Sequence, residues 1–293
     1  MKNRKRMIAL FILITLMVAA FTADIWMTAS PSTIDSSQRL LPPTLKHWFG
    51  TDHFGRDIFS LTIIASRVSL VVGVLVAVLS TIFGSVLGLI AGYYQRLDTI
   101  IMRVIDGMLA FPSLLLALAL VAAIGGSVFN IIIALTFSFS ASMTRVVRSA
   151  VLQIKSVQYI EAAKTSGVQD VIILMKYIYI NILSTVIVQG TFVFAKAILA
   201  EAALSFLGVG VEPSTPTWGN MLQESQLYIT ISPWMSIFPG IAIMITVLSL
   251  NILGDDLRNS FDPHNRTRAK SKFSINNYRE LFKKKVPSND SYS

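Results

Sequence analysis

The sequence predicts an all-α polytopic membrane protein, on three observations. Only 14% of the 293 residues are charged while 53% are apolar, whereas a soluble domain coats itself with about 25% charged residues. Several uncharged runs reach the roughly 20 residues that a helix needs to cross a hydrocarbon core of about 30 Å. These runs are continuous rather than alternating with period two, and lipid admits only helices or closed barrels, because every backbone polar group must be satisfied internally. The same composition excludes a disordered chain. Cysteine is absent, which removes disulfides, thiolate zinc sites, iron-sulfur clusters and cysteine nucleophiles together.

Six transmembrane helices are expected, in order. Met7 to Ala23 is the first. Lys2, Arg4, Lys5 and Arg6 before it imitate the n-region of a secretory signal, but the run is long for an h-region and no small-residue cleavage pattern precedes Asp24, so an uncleaved span is predicted. Val68 to Gln95 is the second. Gly107 to Thr144, 38 residues interrupted by Gly125-Gly126, reads as the third and fourth spans joined by a tight turn. The third then begins near Ile100 and carries Arg103 and Asp106 at the membrane edge as a local ion pair. Tyr177 to Leu207, broken only by Lys196 and Glu201, is the fifth, and Ser232 to Gly254 is the sixth. In domain terms these are an N-terminal transmembrane helix (1–27), an extracytoplasmic segment (28–66), a transmembrane domain (67–257) with a cytoplasmic loop (145–176), and a basic tail (258–293).

The net charge of +9 admits nucleic acid, anionic lipid or membrane topology as its meaning. Placement decides. Of the 25 Lys and Arg residues, 20 fall at the N-terminus, at the turn with Arg96 and Arg103, in 145–176 or in the tail. Cationic segments beside spans are retained in the cytoplasm, so both termini are expected there. The basic residues thus read as topology and lipid contact, with no nucleic-acid partner.

The loop from Arg145 to Lys176 is the most informative segment. Val151, Ile154, Tyr159, Ala162 and Ala163 recur at near-helical spacing, with Lys155, Gln158, Glu161 and Lys164 interleaved, which predicts short amphipathic helices. Ser166-Gly167 breaks them, since glycine tolerates the conformations a turn requires. Arg145 and Arg148, one turn apart at the end of the fourth span, suit either lipid phosphate or bracing of the loop.

Glu161-Ala162-Ala163, followed after three residues by Gly167, resembles the EAA loop of ATP-binding-cassette importer permeases, the segment that docks into the nucleotide-binding subunit. Four further segments occur in the order of the dipeptide, oligopeptide and nickel branch of that family, in its second or C-type subunit. They are Gly50-Thr51-Asp52-His53-Phe54-Gly55-Arg56-Asp57, Leu204-Ser205-Phe206-Leu207-Gly208-Val209-Gly210, Trp218-Gly219-Asn220-Met221-Leu222 and Asn251-Ile252-Leu253-Gly254-Asp255-Asp256-Leu257-Arg258. The similarity runs from about His47 to Pro263. One departure stands out: where the family pattern continues to an isoleucine and then a leucine-proline pair, this chain has Tyr177, Tyr179 and Ile180. Without a proline to break it, the second arm of the loop is expected to run straight into the fifth span.

The resemblance implies the type I importer permease fold, and an ATP-driven import complex on the cell membrane. Its further parts would be a second homologous permease, two ATP-binding subunits and an extracytoplasmic substrate-binding protein. Cargo would be di- or oligopeptides, nickel or a metal chelate. Glu161, Ala162, Ala163 and Gly167 would be the contact to the ATPase. The sequence itself has no G-x-x-x-x-G-K-[ST] phosphate loop, so any ATP-derived work must enter through a contact. Neither H-E-x-x-H nor G-x-S-x-G is present, so no enzyme and no cofactor are expected.

Ionisable groups inside spans are costly and default to function. Lys196 and Glu201, about 140° apart on a helix with their five-residue separation, are candidates for the transport pathway; a structural role for Glu201 is an equal alternative. An ammonium facing a channel would favour anionic cargo. His47 and His53 lack a carboxylate cluster at ligand spacing, so no metal site is assigned to them. The competing reading is a secondary transporter driven by an ion gradient, which would show two related halves. The surroundings of Pro112 and Pro239 do not match as such halves would.

Overall fold

The computed structural model describes residues 2–27 and 34–261. The basic tail beyond Phe261, with Lys270, Lys272, Arg279 and Lys283 to Lys285, lies outside the described residues. The elements in order are α1 (Lys2–Phe21), the short α2 (Ala23–Trp26), α3 (Ile58–Tyr93), α4 (Gln95–Leu109), α5 (Ser113–Ile124), α6 (Val128–Lys155), α7 (Gln158–Thr165), α8 (Asp170–Ile172), α9 (Ile180–Phe206), α10 (Trp218–Ser225) and α11 (Trp234–Phe261). No strand occurs among the described residues, so the all-α membrane architecture stands.

The expected six spans are matched in part by helix length and composition. Among the described residues four helices are long and apolar enough to cross a membrane, and a fifth span arises only by joining α4 to α5 across an 87° bend. Pro112 makes that bend: it occupies the N-cap of α5 in an extended conformation, and a proline there cannot continue the preceding helix. With its 12 residues α5 is about 18 Å long, too short to cross alone. The apolar stretch of α1, Arg6–Phe21, also falls short of a full span.

Helix ends follow local chemistry. Asp57 caps α3 by accepting from the Ser60 amide at 2.9 Å, so this helix starts ten residues before the apolar run expected from Val68 and extends over 36 residues, about 54 Å. Gly125, at φ +94°, makes the turn between α5 and α6, where Ser127 caps α6 through the Asn130 amide. The second arm of the loop is unbroken: α8 passes through a π-helical stretch, Ile173–Tyr179, into α9, forming one 37-residue rod.

Three apolar clusters hold the bundle. One joins the middle of α3, α5, α6 and α9 (Val76, Val121, Leu135, Val193). A second joins α1, α3, α9, α10 and α11 around Trp218. The third, at the opposite end, joins α3 and α6 to α7 and the base of α9 (Tyr93, Val147, Ile160, Ile173). The packing of α3 on α6 is built on a glycine stripe. A Cβ on Gly84, Gly88 or Gly92 would come within 2.5–2.6 Å of the Cβ of Met143, Val147 or Val151 in turn. Small residues four apart let two helix backbones approach closely where lipid supplies no hydrophobic drive. Ser138, Ser140 and Thr144 satisfy their hydroxyls on carbonyls one turn earlier, at 2.6–2.8 Å.

Candidate functional site

At the end of the bundle formed by the last turns of α3 and α6, α7 stands apart from the rest. Its eight residues bury only Ile160, against Ile173 and Val151, with Ala163 half-buried beside it. Gln158, Tyr159, Glu161, Ala162, Lys164 and Thr165 are exposed. Of the two alanines expected on one face, Ala162 points outward and Ala163 packs inward. Gly167, at φ +78°, ends the helix: its amide reaches the Lys164 carbonyl at 3.1 Å while the Val168 amide reaches Ala163, also at 3.1 Å. This is the double bond of a left-handed glycine C-cap.

Both feet of this loop land on the same place. Before α7, Lys155 Nζ donates to the Tyr93 carbonyl at 2.5 Å and the Gly92 carbonyl at 3.5 Å, which are among the orphan acceptors at the end of α3. After it, Asp170 accepts from the Tyr93 hydroxyl at 2.5 Å and the Tyr94 hydroxyl at 3.4 Å. The two tyrosine rings meet edge to face at 4.9 Å. Arg148 grips Asp98 with two bonds of 2.5 and 2.6 Å. Arg145 pairs with Asp106 at 2.5 Å. That overturns the expected Arg103–Asp106 pair, since the approach of α6 to α4 offers Asp106 a guanidinium across the interface, and Arg103 stays exposed. Arg145 and Arg148 thus brace α4 rather than the loop itself.

Lys196 lies on an exposed stripe of α9. Thr185, Gln189, Phe192, Lys196 and Leu199 share one face of the helix by spacing, and each is exposed or half-buried. Lys196 makes no hydrogen bond or ion pair among the described residues. Towards the α7 end the stripe opens on a cavity of about 520 Å³ lined by Ser184, Thr185, Gln189 and Phe192 of α9, Val146 of α6, and Arg258 of α11.

Glu201 sits elsewhere. It is fully buried and accepts from Ser205 at 2.9 Å and Ser69 at 3.1 Å, facing the packing between α9 and α3 rather than the Lys196 stripe. It belongs to a polar frame that gathers the motifs at the far end. The Ser205 hydroxyl also receives the Val211 amide, and Trp218 donates its ring nitrogen to the Thr62 carbonyl at 3.1 Å. Asn220 donates to the carbonyls of Val211, Glu212 and Thr215 at 3.0–3.2 Å. A Cβ on Gly210 would collide with Ser205, and one on Gly219 would meet Ser205 and Ala202. The segments around Leu204 and Trp218 are therefore two halves of one packing unit.

The Gly50–Asp57 segment completes this platform. Asp52 accepts from the amides of Phe54 and Arg56 at 2.8 Å. Gly55 takes φ +79°, where a Cβ would strike the Asp35 carbonyl. Asp35, on the surface, has its carboxyl held below the usual range by the Ser37 hydroxyl and amide. His47 is engaged on both ring nitrogens, by Asp57 at 2.9 Å and Gln38 at 2.8 Å. Asp52, His53 and Glu224 lie within ligand distance of one another, but Arg56 already bridges the carboxylates, at 2.5 Å to Asp52 and 2.7 Å to Glu224. The charge they face is a guanidinium.

Residues 84–267 match the family described as binding-protein-dependent transport system inner membrane component. The chain belongs to that family. It is similar to a putative peptide transport system permease protein of Brucella abortus, 42% identical over 90% of this chain and 89% of the relative. It is 43% identical to a dipeptide transport system permease protein of Alkalihalophilus pseudofirmus, over 89% of this chain and 86% of the relative. A glutathione transport system permease protein of Escherichia coli is 40% identical over 87% of this chain and 84% of the relative. The chain is thus a multi-pass, non-catalytic permease component of the peptide branch of ABC importers, and the ion-gradient alternative is set aside.

Within this permease, sequence reasoning missed Tyr93, Tyr94, Asp98 and Asp170, whose partners lie 50 to 77 residues away. It also missed the glycine stripe, for which the signal was there in Gly84-x-x-x-Gly88-x-x-x-Gly92.

Proposed function

We propose that this chain is the second, C-type permease of a peptide importer, in which α7 is the cytoplasmic docking element for an ATP-binding subunit and the Lys196 stripe lines the path. The observation that carries the reading is α7 itself, a helix with one buried side chain and an open outer face, at the end of the bundle where the Lys and Arg residues concentrate. With that end cytoplasmic, both termini are cytoplasmic, and the platform of 34–57 and 208–233 faces the substrate-binding protein. The working complex contains this chain, a homologous permease and two ATP-binding subunits. Glu161, Ala162 and Gly167 then form and terminate the docking surface, and Ala163 anchors it inward.

An unpaired ammonium at mid-span costs about 2.5–3.5 kcal/mol against lipid, so Lys196 is placed facing the second permease across a hydrated path. Peptides and glutathione, the cargoes for which the relatives are named, carry carboxylates that such an ammonium attracts. Peptide is therefore favoured over free nickel or a metal chelate. The test is uptake of labelled dipeptide, tripeptide, nickel and chelated nickel in cells with and without the chain. Peptide uptake that depends on the chain supports the reading; dependence of nickel uptake alone refutes the cargo. Lys196→Ala is expected to reduce peptide uptake several-fold while Lys196→Arg retains it. Unchanged transport in both removes Lys196 from the path.

A further inference from the structure

We infer that Tyr93 and Tyr94, the corner between α3 and α4, form the joint through which movement of α7 reaches the transmembrane helices, with Lys155 and Asp170 as its two tethers. The inference rests on α7 being the docking element, and adds the residues that carry its motion inward.

The geometry makes a joint necessary. Taken alone, α7 is a poor lever. It hangs between the bend at Ser156-Val157 and the glycine turn at Gly167, and one buried isoleucine holds it to the bundle. Beyond α8 lies a π-helical stretch, Ile173–Tyr179, whose hydrogen bonding is less regular than that of an α-helix and which marks sites of helix adjustment. A pull on α7 would be absorbed by these yielding links unless both ends were tied to something stiff.

They are tied. Lys155, three residues before α7, reaches the last carbonyls of α3 and lies over the Tyr93 ring, 5.4 Å from its centre. Asp170, five residues after α7, receives the hydroxyls of both tyrosines. Tyr94 is moreover the single residue linking α3 to α4. Behind the joint, α3 is locked to α6 by the glycine stripe, and α4 to α6 by the Asp98–Arg148 pair. A displacement of α7 thereby turns α3, α4 and α6 as one body instead of flexing the loop, the rigid-body route by which packed elements switch. Tyr93, Tyr94, Lys155 and Asp170 are positioning residues: none need touch cargo or nucleotide.

The experiment uses the whole transporter, co-expressed with its partner permease and ATP-binding subunits and reconstituted in liposomes, and reads peptide moved per ATP hydrolysed. Tyr93→Phe, which removes one hydroxyl and keeps the ring in its cluster, and Asp170→Ala are expected to leave subunit association and ATPase rate within twofold. Transport per ATP should fall about fivefold, the factor that one net hydrogen bond represents. Asp170→Asn, which keeps an acceptor for one tyrosine, should fall between them and the parent. Unchanged transport per ATP in Tyr93→Phe and Asp170→Ala overturns the joint. So does an equal loss of association, hydrolysis and transport, the mark of a merely structural role. Ala162→Trp, on the outer face of α7, separates the two readings. Loss of ATP-binding subunits from that variant upholds docking whatever the joint does, and their retention refutes docking itself.

Discussion

The two ends of the bundle are built on opposite plans. At the platform end, Asp57, Glu201, Ser205, Trp218 and Asn220 are all buried and hydrogen-bonded, and the Ser69–Glu201 and Trp218–Thr62 bonds join segments far apart in the chain. At the α7 end the helix keeps one buried side chain and an open surface, and the segments flanking it are tied to one corner by Lys155 and Asp170. A frame with many mutual constraints holds its shape, whereas an element with few buried contacts opens at lower cost. The difference teaches where this permease is made to yield.

The largest effect that would break the contrast is at the platform. Trp218→Ala removes the largest fully buried side chain and is expected to cost about 3–5 kcal/mol, visible as a lowered thermal midpoint of the detergent-purified complex. A midpoint no lower than that of an α7 variant would erase the distinction. Gly88→Leu forces the α3–α6 contact, where a Cβ would already lie 2.6 Å from that of Val147, and should cost about 1–3 kcal/mol or more, read in the same melt and in the yield of assembled complex. Gly167→Ala meets no neighbour, since nothing lies within 4 Å of its Cβ, so the cost is the left-handed backbone alone, about 1–2 kcal/mol. Limited proteolysis should register it as faster cleavage within 156–169, with the global midpoint unchanged. The smallest effect is at Arg145, whose pair with Asp106 is half exposed and worth at most about 1 kcal/mol. Arg148→Ala, breaking a more buried two-pronged pair, should lower the midpoint more than Arg145→Ala does.

Much of this was legible in the sequence because lipid leaves few options. Uncharged length marked the long helices, Gly125-Gly126 the turn between α5 and α6, and Gly167 the end of α7. The missing proline after the loop correctly indicated a helix running on from Asp170. Less was legible where a residue's role depends on a distant partner. Asp106 has Arg103 one turn away, and only the approach of α6 gives it Arg145 instead. Hydropathy also hid the 87° bend, since Ala110, Phe111 and Pro112 interrupt the helix without interrupting the apolar run. The start of α3 was hidden for the converse reason: its first turns, from Ile58, are helical but are cut off by Arg67 from the uncharged run that begins at Val68.

The central claim is that the outer face of α7 is a cytoplasmic surface covered by an ATP-binding subunit. Because the chain has no cysteine, Ala162→Cys places a single thiol at that face. A membrane-impermeant maleimide should label it in inverted vesicles and not in intact cells, and co-assembly with the ATP-binding subunits should protect it. Labelling from the outside, or equal labelling with and without those subunits, would contradict the account.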